Sequence, residues 1–440
     1  MRLERRSFQE VNEDGSTTSK VDFFTGGVFL CVFAVPLGKL VYLPGTDGFG
    51  VTAAALLLPI FAALYISTRR ISWQSVLIPL TVLTLALLSL VSLQDISKLG
   101  IYNYVEIAGY HSGETGTKDS VLGRLVFILA YGAIYIAIIA MGVRDSSAVV
   151  RLWRWFSRGV IVASIVGVGI FAGVALGSLD SDSISAISAH SHIVVTGVLD
   201  FYRFNPGANV NQFGKYAAIG LAFTLLMQRQ VKFRGFVVCL LGFALVASLT
   251  RSAWVGFLLG LLSVAVHQRG SLRKLRTLLY IGFTLLGTLG LLLVFAPGDV
   301  LEMIGQRLEF SPGAGGNERL IKVEDVFQTL YSADSVTQLF GNGWATNLYV
   351  HSVPFQILYE MGVVGFLLGT LMMLSLWWRL HCKYAFSDPY LNFLRVALAV
   401  TTIDMLLQHS MYHPSTWLVL ASAAAYSSRQ LAEIESHKYS

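Results

Sequence analysis

Long, nearly uncharged apolar runs leave this chain one environment in which to fold. Stretches of roughly 17 to 25 such residues match the hydrocarbon thickness of a bilayer when wound as helices. Helices satisfy their own backbone polar groups there, as an open strand does not. About twelve segments could span in this way, a few of them short, at 22–43, 51–66, 73–93, 121–142, 158–177, 207–228, 235–250, 253–266, 277–296, 352–378, 391–408 and 415–428. Among the short ones are 51–66 and 253–266. With 54% hydrophobic and 13% charged residues, an ordinary soluble domain is excluded. No strand-rich alternation and no repeat of solenoid length breaks the pattern. The expectation is an all-α polytopic membrane protein: a polar tail at 1–20, then a single transmembrane helical domain at 21–440.

Orientation follows from lysine and arginine. Arg2, Arg5, Arg6 and Lys20, Arg69 and Arg70, Arg144, Arg151, Arg154 and Arg158, and Arg229, Lys232 and Arg234 all fall on one side of the expected spans. Arg269, Arg273, Lys274, Arg276, Arg379, Lys383, Arg429 and Lys438 join them. The positive-inside rule makes that side cytoplasmic, with both termini. It also accounts for the net charge of +6, so the basic clusters do not point to nucleic acid. The tail reads as a disordered segment ahead of a full-length span, not as a cleaved signal peptide. Cys31 and Cys239 fall within spans and Cys382 in a cytoplasmic loop, so no disulfide framework is expected.

The opposite, trans face carries loops at 94–120, 178–206 and 297–351, with short turns near 44–50, 251 and 409–414. Loops as long as 297–351 are usually functional or disordered. This one shows signs of order. Pro312-Gly313-Ala314-Gly315-Gly316 reads as a hinge, and Asn317 as the cap of a helix from Glu318 to about Tyr331. Leu320, Val323, Val326, Phe327 and Leu330 recur at helical spacing, which predicts an amphipathic helix. Either a lid over a cavity mouth or a solvated helix with one packing face fits that pattern.

Arg203, Arg251, Arg307 and Arg319 lie on this arginine-poor face, among Asp299, Glu302, Glu309, Glu324 and Asp325. Arg251 sits in the tight turn Ser248-Leu249-Thr250-Arg251-Ser252-Ala253-Trp254, where burying a guanidinium is costly unless an anion or a carboxylate takes its donors. A diphosphate at the membrane surface would do so, and so would a salt bridge to a trans-side acid. Arg203 lies in Phe201-Tyr202-Arg203-Phe204-Asn205-Pro206-Gly207-Ala208-Asn209, which leads into a span whose helix start would favour anions. Lys215, one turn further in, reads most simply as a snorkelling side chain.

A final constellation closes the long loop. Gly341-Asn342-Gly343-Trp344 leads to His351-Ser352-Val353-Pro354-Phe355-Gln356 and on to Glu360-Met361-Gly362-Val363-Val364-Gly365. It places one imidazole, the side chain that titrates near neutral pH, at a membrane surface. Taken with Arg203 and Asn205-Pro206, Thr250-Arg251-Ser252-Ala253 and Glu318-Arg319, the order of these motifs over about 200–366 resembles the O-antigen ligase and O-antigen polymerase superfamily. One departure is Ser352, where that family commonly has Asn; Ser still donates a hydrogen bond. The resemblance implies a GT-C-type glycosyltransferase with a polyprenyl diphosphate-linked glycan as donor. It carries the catalytic base onto His351 and the diphosphate-binding role onto Arg251, Arg319 and Arg203. It implies no metal and no cofactor. Trp344, Tyr349 and Ser352 are candidate sugar or acceptor contacts beside the His.

Other polar groups have simpler readings. Asp180-Ser181-Asp182 has carboxylate spacing that can hold a divalent ion, but acidic loop residues are common. His190 with His192, and His409 with His413 beside Pro414, have poor ligand spacing. Asp404 is an intramembrane carboxylate expected to hold an arginine or a polar helix contact. Trp73, Trp153, Trp155, Trp377 and Trp378 at span ends read as interfacial anchors.

Three functions fit. The leading one is a ligase that moves a glycan from undecaprenyl diphosphate to the lipid A-core at the periplasmic face of the inner membrane. The second is a polymerase with a lipid-linked repeat as acceptor. The third is a flippase or transporter of lipid-linked sugar, which would be expected to spread its cations through the membrane depth.

Overall fold

A computed structural model describes residues 23–37, 53–68, 80, 84, 121–175, 178–179, 193–196, 199–202, 210–227, 233–267, 282, 316–343, 350, 352–382, 388–408 and 413–436. Its helices are α1 (Phe23–Ala34), α2 (Ala53–Ser67), α3 (Val121–Arg144), α4 (Ser146–Ala175), α5 (Val210–Leu226), α6 (Arg234–Ala247) and α7 (Arg251–His267). They continue as α8 (Gly316–Ser332), α9 (Ser335–Phe340), α10 (Val353–Cys382), α11 (Pro389–Leu407) and α12 (Pro414–Ser436). Among the described residues, three stretches are long and apolar enough to cross a membrane: Ser146–Gly173, Val353–His381 and Pro389–Leu407. Shorter apolar helices cover Phe23–Leu37, Leu57–Ser67, Leu129–Arg144, Arg234–Ala247 and Arg251–Val266. The chain is therefore helical, with helices compatible with a bilayer. The expected spans 73–93 and 277–296 lie outside the described residues save for Leu80, Thr84 and Gly282, and the 1–20 tail lies outside them entirely.

Two helices run further than their apolar stretches. The expected span 158–177 belongs to α4, which starts at Ser146 and so carries Arg151, Arg154 and Arg158 on a helix. The expected span 415–428 continues to Ser436 in α12. The start of α4 is held by packing, since Leu152, Trp153 and Phe156 are fully buried. Inside the 178–206 loop the chain also forms an antiparallel hairpin, β1 (Ile193–Thr196) with β2 (Leu199–Tyr202), in the register Ile193 to Tyr202. The bundle is helical as expected, and Ile193-Val194-Val195 before Gly197 carried the β-branched and turn signal for this short hairpin.

The helices of the bundle share two ends. At one, Arg234 donates from Nη2 to Leu225 O at 2.8 Å, tying α6 to the end of α5. Asp388 caps α11 by accepting from the Tyr390 amide at 2.8 Å, with Pro389 at the first helical position. Its other oxygen accepts from Tyr426 Oη at 2.6 Å, joining α12. Arg395 is fully buried nearby and donates from Nε and Nη2 to Leu380 O at 2.8 and 2.6 Å, locking α10 to α11. At the opposite end lie the α6–α7 turn and the passage from α11 to α12.

Between the ends, α7 packs closely on α11. Gly256 and Gly260 make this possible: a methyl group on either would come within 2.6 Å of Val400 Cα or 2.8 Å of Val396 Cα. This small-residue pair at i, i+4 lets two backbones meet without side chains between them. Elsewhere Trp153, Phe156, Phe223 and Phe393 interlock edge-on, with ring centroids 5.1–5.3 Å apart. Trp153 is fully buried and donates from Nε1 to Ser422 Oγ at 3.0 Å, so it is a core residue and not an interfacial anchor. Trp377 likewise turns inward, donating to Thr402 Oγ1 at 3.0 Å and stacking on His381. Trp378 is 64% exposed, as an anchor requires.

Among the described residues, one ion pair is buried in the bundle. Lys215 Nζ on α5 lies 3.2 Å from Asp404 Oδ2 on α11, with side-chain exposures of 0% and 2%. Nζ also donates to Thr416 Oγ1 on α12 at 2.6 Å. Lys215 thus does not snorkel, and Asp404's partner is a lysine. Removing one member of such a pair strands a buried charge, at a cost of about 3–5 kcal/mol, whereas replacing both by apolar groups is often neutral. Lys215→Met should therefore sharply lower the unfolding temperature in detergent, and Lys215→Met with Asp404→Leu should recover most of the loss. Equal melting of the single variant and the native chain would contradict this account.

Candidate functional site

The α6–α7 turn is assembled from its own hydroxyls. Ser248 Oγ donates to Leu245 O at 2.7 Å, and Thr250 Oγ1 donates to Ser248 O at 3.3 Å. Leu249 takes the left-handed conformation at φ 53°. The turn presses on α5 at Gly214, where a methyl group would sit 2.6 Å from Ser248 Oγ and from the Thr250 side chain. Ser248, Leu249, Thr250 and Ser252 are all buried. Ser252 Oγ makes a long hydrogen bond of 3.4 Å to Asp404 Oδ1 and accepts from Gln408 Nε2 at 3.2 Å. The starts of α5, α7 and α12 and the end of α11 thus meet in one polar knot around Asp404.

Arg251 opens α7 at this knot and is half-buried. Among the described residues its guanidinium makes no ion pair and no hydrogen bond, so the salt bridge weighed for it from sequence is not made to any of them. Its position at a helix start adds the partial positive charge of the helix dipole. The combination suits an anion brought from outside the chain. Arg144, Arg151, Arg154, Arg158, Arg234 and Arg379 belong to the other end of the bundle, by the direction of the helices that carry them.

A second assembly surrounds the start of α10. Gly362 interrupts that helix with φ 64° and ψ −166°, so Val353–Met361 and the remainder are separate limbs. Gly341, with φ 85°, ends α9 against the Glu360 backbone, and Gly362 in turn meets the Leu339 carbonyl and the Gly341 amide. Neither position has room for a β-carbon, and both use backbone conformations that glycine alone adopts cheaply. The Asn342 amide donates to Tyr359 O at 2.9 Å across this clasp. α9 itself is nucleated by Asp334, whose carboxylate accepts from the Val336 and Thr337 amides at 2.9 and 3.0 Å.

α8 packs its apolar stripe on the first limb of α10. Val326 and Leu330 join Val350 and Leu358 in a small core of their own, with Val323, Phe355, Tyr359 and Phe366 against it. Phe327 meets Phe355 edge-on at 5.9 Å. The amphipathic helix is present as expected, though it starts at Gly316, so Asn317 lies in its first turn instead of capping it.

The structure places the sequence candidates unevenly. Ser352 precedes α10 and is 6% exposed; its Oγ is buried with no hydrogen-bond partner among the described residues. His351, Trp344, Tyr349 and Arg203 lie outside the described residues, although β2 ends at Tyr202 and α10 starts at Val353, beside two of them. Arg319 falls within α8, but its side chain is not among those described. Asp180, Asp182, His190, His192 and His409 also lie outside. Sequence reasoning missed Gln356. Its Oε1 accepts from the Val350 amide at 2.7 Å, and its Nε2 donates to Glu360 Oε1 at 2.6 Å. A glutamine four residues before a glutamate at the start of an apolar helix was the available signal.

No family model matches this chain, and no curated protein matches it.

Two outcomes follow for the clasp. Gly362→Ala should cost about 1–2 kcal/mol from the left-handed backbone alone, with steric overlap added, and should expose the Asn342 amide to exchange; unchanged protection would contradict the clasp. The Thr337 amide and hydroxyl, with the Val336 amide, hold the Asp334 carboxyl below its ordinary value of 3.8. A group depressed on folding contributes stability above its unfolded value and loses it as pH falls through the folded one. Protection of α9 amides should therefore fall as pH drops below 3.8, and Asp334→Ala should abolish that acid dependence.

Proposed function

We propose that this chain is a GT-C-type glycosyltransferase of about twelve spans. It moves a glycan from undecaprenyl diphosphate onto the lipid A-core oligosaccharide at the periplasmic face of a bacterial inner membrane. The observation that carries the reading is Arg251: a half-buried guanidinium at a helix start, without a carboxylate partner among the described residues, at the end of the bundle opposite Arg144, Arg151, Arg154, Arg158, Arg234 and Arg379. The positive-inside rule makes that arginine-rich end cytoplasmic and so sets Arg251 toward the periplasm. A flippase is disfavoured by the same separation, because its cations would line a path through the membrane.

The chemistry is a single displacement. A hydroxyl oxygen of the acceptor attacks the anomeric carbon, the bond from that carbon to the diphosphate oxygen breaks, and the diphosphate leaves with the electron pair. His351 takes the hydroxyl proton, and the anomeric configuration inverts. Arg251, Arg319 and Arg203 neutralise the leaving diphosphate through paired hydrogen bonds, a task arginine performs without a metal ion. The buried Ser352 hydroxyl is placed to orient the acceptor or the base.

Purified chain, glycan-charged undecaprenyl diphosphate and lipid A-core, with chelator present, test the reading. Core-linked product should form, and His351→Ala should lower its rate by about 10²–10⁴-fold, the usual contribution of general base catalysis. Lengthened lipid-linked glycan in place of core-linked product would make the chain a polymerase; neither product would sink the transferase reading.

A further inference from the structure

We infer that Gln356 and Glu360 are positioning residues for the transfer step, acting through the backbone on both sides of residue 351; the inference rests on the transferase reading. Gln356 is 1% exposed and Glu360 3%. An apolar helix packed on a small apolar core would accept leucine at both places, and burying a primary amide and a carboxylate is costly unless each is hydrogen-bonded. Here each side chain has a partner. The Gln356 amide N–H donates to Ser352 O at 2.9 Å, and its Oε1 accepts from the Val350 N–H at 2.7 Å. One side chain and its own backbone therefore hold the residues immediately before and after position 351.

Glu360 decides which way the amide of Gln356 faces. A carboxylate only accepts, so Nε2 turns toward Glu360 Oε1 at 2.6 Å and leaves Oε1 for Val350. Glu360 is itself held from the far side, since its carbonyl is the surface against which Gly341 closes. The sequence of supports is continuous: α9 fixes Gly341, Gly341 fixes Glu360, Glu360 orients Gln356, and Gln356 fixes the Val350 and Ser352 backbone. Transfer rates are sensitive to misplacement of a reacting group by about 1 Å, which costs on the order of 10²-fold.

The test uses the full chain in nanodiscs with glycan-charged undecaprenyl diphosphate and lipid A-core. Gln356→Leu should lower kcat by about 10²-fold while leaving the KM for the donor unchanged, because Arg251 is untouched. Gln356→Glu alone, which sets two carboxylates together, should lose as much. Gln356→Glu combined with Glu360→Gln restores a donor facing an acceptor at the same place and should recover the rate. Melting temperatures separate a misfolded variant from a misaligned one, and the exchanged pair tests the geometry should Gln356→Leu fail to fold. A folded Gln356→Leu with native kcat overturns the proposal and leaves the transferase standing; an inactive native chain overturns the transferase reading itself.

Discussion

An ammonium and a carboxylate buried together in an apolar bundle fix where its helices can meet. Lys215 and Asp404 belong to α5 and α11, and their contacts with Thr416 and Ser252 bring in α12 and α7. Sliding any of the four along its axis would leave a charge or a hydroxyl unanswered in low dielectric, a far larger penalty than a mismatch between apolar side chains. Apolar surfaces and the Gly256–Gly260 notch bring the helices close, but they tolerate more than one register. The charges select one. The same knot fixes the first turn of α7, and with it Arg251.

The second organising element is independent of the first. α8, α9 and the first limb of α10 form a small core of their own, joined by two glycines whose backbones interlock. The break at Gly362 separates this assembly from the long apolar limb that packs on α11. In the proposed displacement, the end of the bundle that carries Arg251 holds the leaving group and the attached module beside position 351 activates the acceptor.

Much of this was legible in the sequence, and the omissions have physical causes. Apolar run length located α1, α2, α3, α5, α6, α7, α10 and α11 because the bilayer leaves helices few alternatives. Run length says nothing about polar helix extensions, which is why α4 and α12 are longer than expected. The partner of Asp404 was beyond reach, since residues 215 and 404 meet only in three dimensions. Trp153 and Trp377 look like interfacial anchors by their place in the chain, and only packing shows them turned inward. The Gly256–Gly260 spacing and the β-branched run at 193–196 were readable signals. Of the candidate site, the turn at Arg251 and the helix of residues 318–331 were placed correctly, whereas the Gln356–Glu360 pair requires knowing that Val350 turns back over the helix.

The interlocked glycines also bear on how such a protein can diversify. Gly341 and Gly362 lie on either side of the segment that holds Trp344, Tyr349 and His351, so the segment is bounded at both ends by one closure. A substitution at either glycine therefore acts on both ends of the segment at once, because a β-carbon at Gly362 would strike the Gly341 amide and one at Gly341 would strike the backbone just before Gly362. Change within the segment is confined to substitutions that leave both glycines in place.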